Sequence, residues 1–212
     1  MASVTDLTAL RAALGGLGKV GAEAAVPAPP VIDTGIAALD HLLPDRGFPR
    51  GGISVIAGAS GVGRMSLAAM LVQRETEAGR PVAWIDAGGT LYPPALALSG
   101  ARLERVLFVR ARDEQKAVRA LAQVVESSVF SVVVSTGIAA GMTPVRARKV
   151  SSASQKAQVS VLMVVEEAAR LEGAALVLQL SRRPEGIVVD LTHGRRAREG
   201  RAIVGGERMT GA

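Results

Sequence analysis

The segment that most constrains this 212-residue chain runs from Ile53 to Ala57 into Gly58-Ala59-Ser60-Gly61-Val62-Gly63-Arg64-Met65-Ser66, then on through Leu67 to Met70. A short apolar run, a glycine-rich turn and residues at helical spacing predict a strand, a loop and a helix in succession. In the pattern G-x-x-x-x-G-K-[ST], such a loop turns consecutive backbone N–H groups inward around phosphate oxygens, and the helix N-terminus adds its dipole. Gly58 and Gly63 stand at the two required glycine positions, with Gly61 between them. Arg64 stands at the lysine position, which keeps the charge but exchanges a compact ammonium for a bulky planar fork. The next position should offer a hydroxyl to Mg²⁺, and Met65 offers a thioether, a poor ligand for a hard cation. Ser66 lies about 100° further round the helix and cannot simply take over that hydroxyl's role. Gly58, Gly61, Gly63, Arg64 and Ser66 are therefore the candidate nucleotide-binding residues. No cofactor is expected, with ATP held but not hydrolysed as the open alternative. Alone, the same spacing also fits a tight turn that holds no phosphate.

Around this loop, short apolar runs alternate with helical ones. Ile53–Ala57, Val82–Asp86, Val106–Val109, Val132–Val134 and Ala175–Leu180 read as strands, several apolar on both faces as buried parallel strands are. Arg64–Glu77, Lys116–Ser127 and Ser154–Leu171 read as helices, with Gly79 and Gly173 just past helix ends. Near the end, Ile187–Leu191, a turn at His193–Gly200 and Arg201–Val204 predict a hairpin on the sheet edge. The expected fold class is α/β: a mainly parallel sheet with helices on both faces, over residues 31–204. Residues 205–212 are expected to form a flexible tail.

Before the core, Val4, Leu7, Leu10 and Leu14 fall at helical spacing, with Thr5 or Asp6 available as an N-cap. The Ala- and Pro-rich stretch from Gly21 to Pro30 reads as an extended linker, so residues 1–30 form an N-terminal helical arm outside the core. Its apolar stripe fits either its own domain, another copy of the chain or a partner.

Composition narrows the function. With 25 Lys and Arg against 19 Asp and Glu the formal net charge is +6, mostly arginine, which suits acidic partners, nucleic acid above all, or a solvated surface. The candidate contacts are Arg182 and Arg183, the cluster Arg195, Arg196, Arg198 and Arg201, and Arg146, Arg148 and Lys149. Aromatic residues make up 2% of the chain, so weak DNA binding would depend on arginine rather than on base stacking. The absence of cysteine excludes disulfides, thiolate metal sites and cysteine catalysis. His41 and His193 lie far apart with no third ligand in view, so no metal site is expected. Without a signal-like N-terminus or a run long enough to cross a bilayer, a cytoplasmic protein away from membranes is expected.

Flanking motifs add a family resemblance. Ile32-Asp33-Thr34-Gly35, Ala38-Leu39-Asp40 and Gly47-Phe48-Pro49-Arg50-Gly51 resemble the approach to the phosphate loop in the RecA family. Trp84-Ile85-Asp86-Ala87 resembles its "FIDAE" strand, Leu91-Tyr92-Pro93 the "LDP" that follows, and Val132-Val133-Val134 with Ile138-Ala139-Ala140 its "VVDSVAAL". The resemblance runs from Val31 to Ala140 and more loosely to Val204, and implies a RecA-like P-loop core. Within that family, Leu103 to Arg110 and the arginine in the loop are similar to the ImuA group of bacterial mutagenesis cassettes. That likeness implies an accessory in damage-inducible (SOS) translesion synthesis, beside RecA, a Y-family-like ImuB and an error-prone DnaE-type polymerase.

Departures from the family pattern bear on chemistry. The glutamate that activates the attacking water corresponds to Gly88, and the metal-holding aspartate to Ser135 or Thr136, so no catalytic residue and no enzyme activity is expected. The long DNA-gripping loop is replaced by Ser181 to Gly186. Two alternatives stand beside the accessory reading. One is a divergent DNA-dependent ATPase or recombinase using Arg64 and Ser66, and the other is a SulA-like inhibitor of cell division.

Overall fold

The computed structural model describes residues 2–4, 8–10, 12–14, 30–138, 142–167, 171, 173–194 and 199–205. Its frame is a nine-stranded sheet: β1 (Ala2–Val4), β4 (Gly52–Gly58), β5 (Val82–Asp86), β6 (Val106–Arg110), β7 (Val132–Thr136), β8 (Ser160–Val165), β9 (Ala174–Arg183), β10 (Gly186–Gly194) and β11 (Gly200–Val204). The spatial order is β1-β6-β5-β7-β8-β4-β9-β10-β11. From β1 to β9 neighbouring strands are parallel, and β9, β10 and β11 close one side as an antiparallel meander. A two-stranded antiparallel pair, β2 (Val31–Ile32) with β3 (Phe48–Pro49), leads into β4.

Period-two alternation explains why the central strands read as unbroken apolar runs. In β4, Ile53, Val55 and Ala57 join one core cluster while Ile56 joins the other; in β5, Ala83 and Ile85 oppose Val82 and Trp84. Each face is sealed by helices. On one lie α1 (Ala37–Leu42), α2 (Arg64–Glu77) and α3 (Pro93–Leu98), contributing Leu39, Leu67, Leu71 and Leu96. The other carries α4 (Glu114–Glu126) and α5 (Pro144–Ala157), contributing Leu121, Val124, Ala147 and Val150. This is the α/β architecture the sequence predicts.

Two expectations are corrected. No helix spans Ser154–Leu171: α5 starts at Pro144, with Thr143 as its N-cap, and stops where Gln158 takes a left-handed conformation (φ 55°). Ser160–Val165 is then buried strand rather than helix, because a short continuous apolar run has no period to tell the two apart. Gly173 accordingly precedes β9 instead of ending a helix.

Val4 does not belong to a helical stripe either. Ala2–Val4 forms β1 against Leu107–Val109 of β6 and pairs an otherwise open sheet edge. Residues 8–10 and 12–14 are helical, and Leu10 is fully buried in the α4 and α5 core with Ala13 and Leu14 packed against it. The expected arm thus docks on its own domain. Leu7, most of the linker and residues 206–212 lie outside the described residues.

One buried ion triad ties the amino end of the sheet together. Glu75 of α2 accepts from Arg50 Nη2 at 2.7 Å, from Arg80 Nε at 2.8 Å and from Arg80 Nη2 at 2.7 Å, with 1% of its surface exposed. Burial pushes the Glu75 carboxyl up, but hydrogen bonds from Arg80, Arg50 and Ser131 outweigh it and hold it below its ordinary value. A carboxyl depressed on folding stabilises the fold above its unfolded pKa, near 4.5, and this contribution is lost as pH falls through the folded value. Glu75→Gln leaves two arginines without their counter-ion and is expected to destabilise the fold by about 3–5 kcal/mol at neutral pH, measured by urea unfolding. The wild type's lead over this variant should shrink as pH drops below 4.5. Leu10→Ala is expected to cost about 2–5 kcal/mol in the same assay, because it opens a cavity in the core.

Candidate functional site

The site lies at the carboxyl end of the parallel strands, where β4 passes through residues 59–63 into α2. Gly58, Gly61 and Gly63 all have positive φ, at 150°, 79° and 94°. At Gly58 an added Cβ would come within 2.5 Å of the Leu180 carbonyl oxygen in β9, so only glycine lets the chain leave the strand here. Gly63 caps α2 in the left-handed region without a side-chain cap, and the first-turn amides of a helix have no partner within it. The glycine turn thus delivers the chain to a helix N-terminus whose dipole and first amides face the loop end of the sheet.

Side chains tell a different story. Arg64 has 12% of its side chain exposed and lies 3.5 Å from Glu166 Oε1, just past β8, while the Glu166 carbonyl accepts from Gly58 N at 3.2 Å. A carboxylate of the chain itself therefore faces the loop's cation. Met65 packs against the core beneath α2, and Ser66 is exposed. At the end of β7, Ser135 Oγ is buried without a hydrogen-bond partner, and Thr136 Oγ1 donates to Asp86 Oδ1 at 3.0 Å. Asp86, 2% exposed, also accepts from Thr90 N at 3.3 Å and Leu91 N at 3.1 Å. It holds the loop that carries Gly88. A Cβ at Gly88 would meet nothing closer than 3.4 Å, so space for a side chain exists there, and glycine supplies none.

Asp86 and Glu166 were not among the sequence candidates. Asp86 sits within a motif read only as ancestry. Glu166 follows a strand that reads as helix, which hides its position over the loop.

The basic candidates divide. Arg182 and Arg183 are exposed at the end of β9, beyond the Gly58–Leu180 register pair, so they extend past the same sheet end as the loop. Arg146, Arg148 and Lys149 lie on α5, which begins at that end, and Lys149 approaches Glu126 at 3.9 Å. Arg201 bonds Asp190 at 2.6 Å on the meander. Arg195, Arg196 and Arg198 fall outside the described residues.

Residues 12–175 match the RecA N-terminal domain family. The chain belongs to that family. It is 32% identical over 130 residues to Protein RecA of Deinococcus radiodurans, covering 61% of this chain and 35% of that protein. To the mitochondrial DNA repair protein recA homolog of Dictyostelium discoideum it is 28% identical over 126 residues, covering 59% of this chain and 28% of the relative. These matches span about a third of the relatives' length. In fold it is similar to the RadB recombinase, with a TM-score of 0.64 at 21% identity over 80% of this chain and 92% of that one. The sheet, the glycine loop and the helix after it are thus the RecA-like core, as the motifs imply.

The cradle's glycines differ in what they tolerate. Gly58→Ala is expected to destabilise the fold by several kcal/mol, because its Cβ would strike a backbone carbonyl. At Gly61 a Cβ meets nothing within 4 Å, so alanine there should cost only the left-handed backbone penalty of about 1–2 kcal/mol. Thermal unfolding of the two variants checks this ranking.

Proposed function

We propose that this protein is a non-catalytic RecA-like accessory of damage-inducible translesion synthesis, of the kind the ImuA resemblance implies, which acts by binding RecA, an ImuB-like polymerase partner or another copy of itself. The observation that carries this reading is a split within the site. The loop keeps its glycine turn into a helix N-terminus, while the positions that the family resemblance aligns with Mg²⁺ binding and water activation carry Met65, Gly88, Ser135 and Thr136. A RecA-family domain implies bound ATP, and an uncapped helix N-terminus after a glycine turn suits its phosphates. The side chains do not suit the metal: a half-buried thioether packed against the core and uncharged hydroxyls at the end of β7 are weak partners for a hard divalent cation. A nucleotide held here would be held by backbone amides, with Arg64 freed from Glu166 to reach it, and would remain intact.

DNA is assigned a secondary role. Arg182 and Arg183 can touch phosphates, but the connection between β9 and β10 is a tight hairpin pairing Arg183 with Gly186, too short to wrap a strand.

ATP turnover by the purified chain should stay at background, with no rise on adding single-stranded DNA and no change in Arg64→Ala. Pull-downs against RecA and a Y-family polymerase should capture at least one of them. Turnover that single-stranded DNA stimulates and Arg64→Ala removes would overturn the accessory reading in favour of a divergent recombinase. Division arrest on overexpression, independent of mutagenesis genes, would favour the division-inhibitor alternative.

A further inference from the structure

The glycine loop carries an anion of its own. Strand β8 ends at Val165, in register with Ala57 of β4, and the next residue, Glu166, is tied to the first loop glycine because its carbonyl accepts from Gly58 N at 3.2 Å. That backbone bond sets Glu166 beside the turn. Its carboxylate then lies 3.5 Å from Nη2 of Arg64, the first residue of α2.

A cation in the first turn of a helix is poorly placed, because the positive end of the dipole lies there and favours acidic side chains instead. The first turn of α2 has no acidic residue, and Gly63 offers no side-chain cap. Arg64 has 12% of its side chain exposed, so solvent reaches little of it. Guanidinium and dipole together call for an anion. The chain supplies one from another element, and a phosphate group would answer the same demand with more charge and more oxygens.

The two partners are held unequally. Arg64 is largely buried, whereas 77% of the Glu166 side chain is exposed. Such a carboxylate can turn into water without opening the core, while its carbonyl keeps the bond to Gly58. The cation stays in place and the anion is exchangeable.

We propose that Glu166 is an internal competitor for the loop: its carboxylate occupies Arg64 until a phosphate group displaces it, and it thereby weakens phosphate binding. This rests on the reading that the loop can hold the phosphates of a nucleotide, and adds what opposes them. Glu167, exposed and next in the chain, is a control of equal charge.

Calorimetric titration of the full chain with ATP in EDTA should compare wild type, Glu166→Gln, Glu167→Gln, Arg64→Ala and the Arg64→Ala, Glu166→Gln double variant. Glu166→Gln keeps the size, removes the charge and should tighten ATP by about fivefold, the scale of an ion pair with one exposed partner. Glu167→Gln should bind as wild type does. In the Arg64→Ala background the Glu166→Gln gain should vanish, because no cation is left to release. The Glu166 side chain is exposed, so its variant should unfold within a few degrees of wild type.

Wild-type binding that Glu166→Gln does not improve overturns the proposal and leaves the nucleotide-holding reading intact. A gain that Glu167→Gln shares, or that persists without Arg64, also overturns it, because plain repulsion between carboxylate and phosphate would act in either case. If no variant binds ATP at millimolar concentration, the proposal and the nucleotide-holding reading fall together.

Discussion

The structure depends on how tightly the end of β4 is held. All seven residues of this strand are buried, and they lie between β8 on one side and β9 on the other. At the last position the backbone runs so close to the Leu180 carbonyl that no side chain fits. The chain must therefore leave the sheet through a glycine turn, and α2 can only begin beyond it. The direction of α2 in turn sets where Glu75 meets Arg50 and Arg80 at the other end of the helix. A close backbone approach at one end of the molecule and a buried ion triad at the other are joined by a single helix.

Much of this was legible because parallel sheets write themselves into sequence plainly. Val82–Asp86 and Arg64–Glu77 have the bounds the residues predict, since buried apolar runs and amphipathic spacing are local signals. The part around α5 was not. Thr143 and Pro144 form a sound N-terminal signal, but the polar stretch that follows hides a buried face of Ala147, Val150, Ser151 and Ser154. Two serines serve there because their hydroxyls bond backbone: Ser154 Oγ receives Gly52 N at 2.8 Å, and Ser151 Oγ donates to the Gly173 carbonyl at 3.2 Å. Hydropathy cannot register a serine buried for its hydrogen bonds. The neighbouring apolar run then reads as the helix it is not, which hides Glu166 from the site. Val4 escaped for a related reason, because a three-residue edge strand is too short to show alternation.

Scaffold and chemistry respond to different constraints in this loop. Gly58 is required by a steric contact within the chain itself, so it is needed whether or not a phosphate binds. The positions that the family resemblance aligns with metal and water chemistry carry no such demand. A side chain would fit at Gly88, Ser135 Oγ has no hydrogen-bond partner to lose, and Thr136 has taken a structural task in bonding Asp86. A loop's outline is for this reason better evidence of descent than of turnover. The same reasoning assigns Asp86 first to architecture: its carboxylate ties the segment after β5 to the end of β7.

The positive charge calls for a similar separation. Several arginines bond within the fold: Arg50 and Arg80 hold Glu75, Arg74 pairs with Asp33, Arg105 donates to the Gly79 carbonyl, Arg201 holds Asp190 and Arg64 faces Glu166. Arginine suits these tasks because its planar fork can serve two oxygens at once, as Arg80 does on Glu75 and Arg201 on Asp190. The net charge of +6 already counts the carboxylates in these pairs, so pairing decides where the positive charge sits rather than how much of it there is. What reaches past the sheet toward the loop is chiefly the Arg182 and Arg183 pair, at the tip of a short hairpin. Two charges in that position can orient a phosphate already bound nearby, whereas tight sequence-independent binding draws on many phosphate contacts.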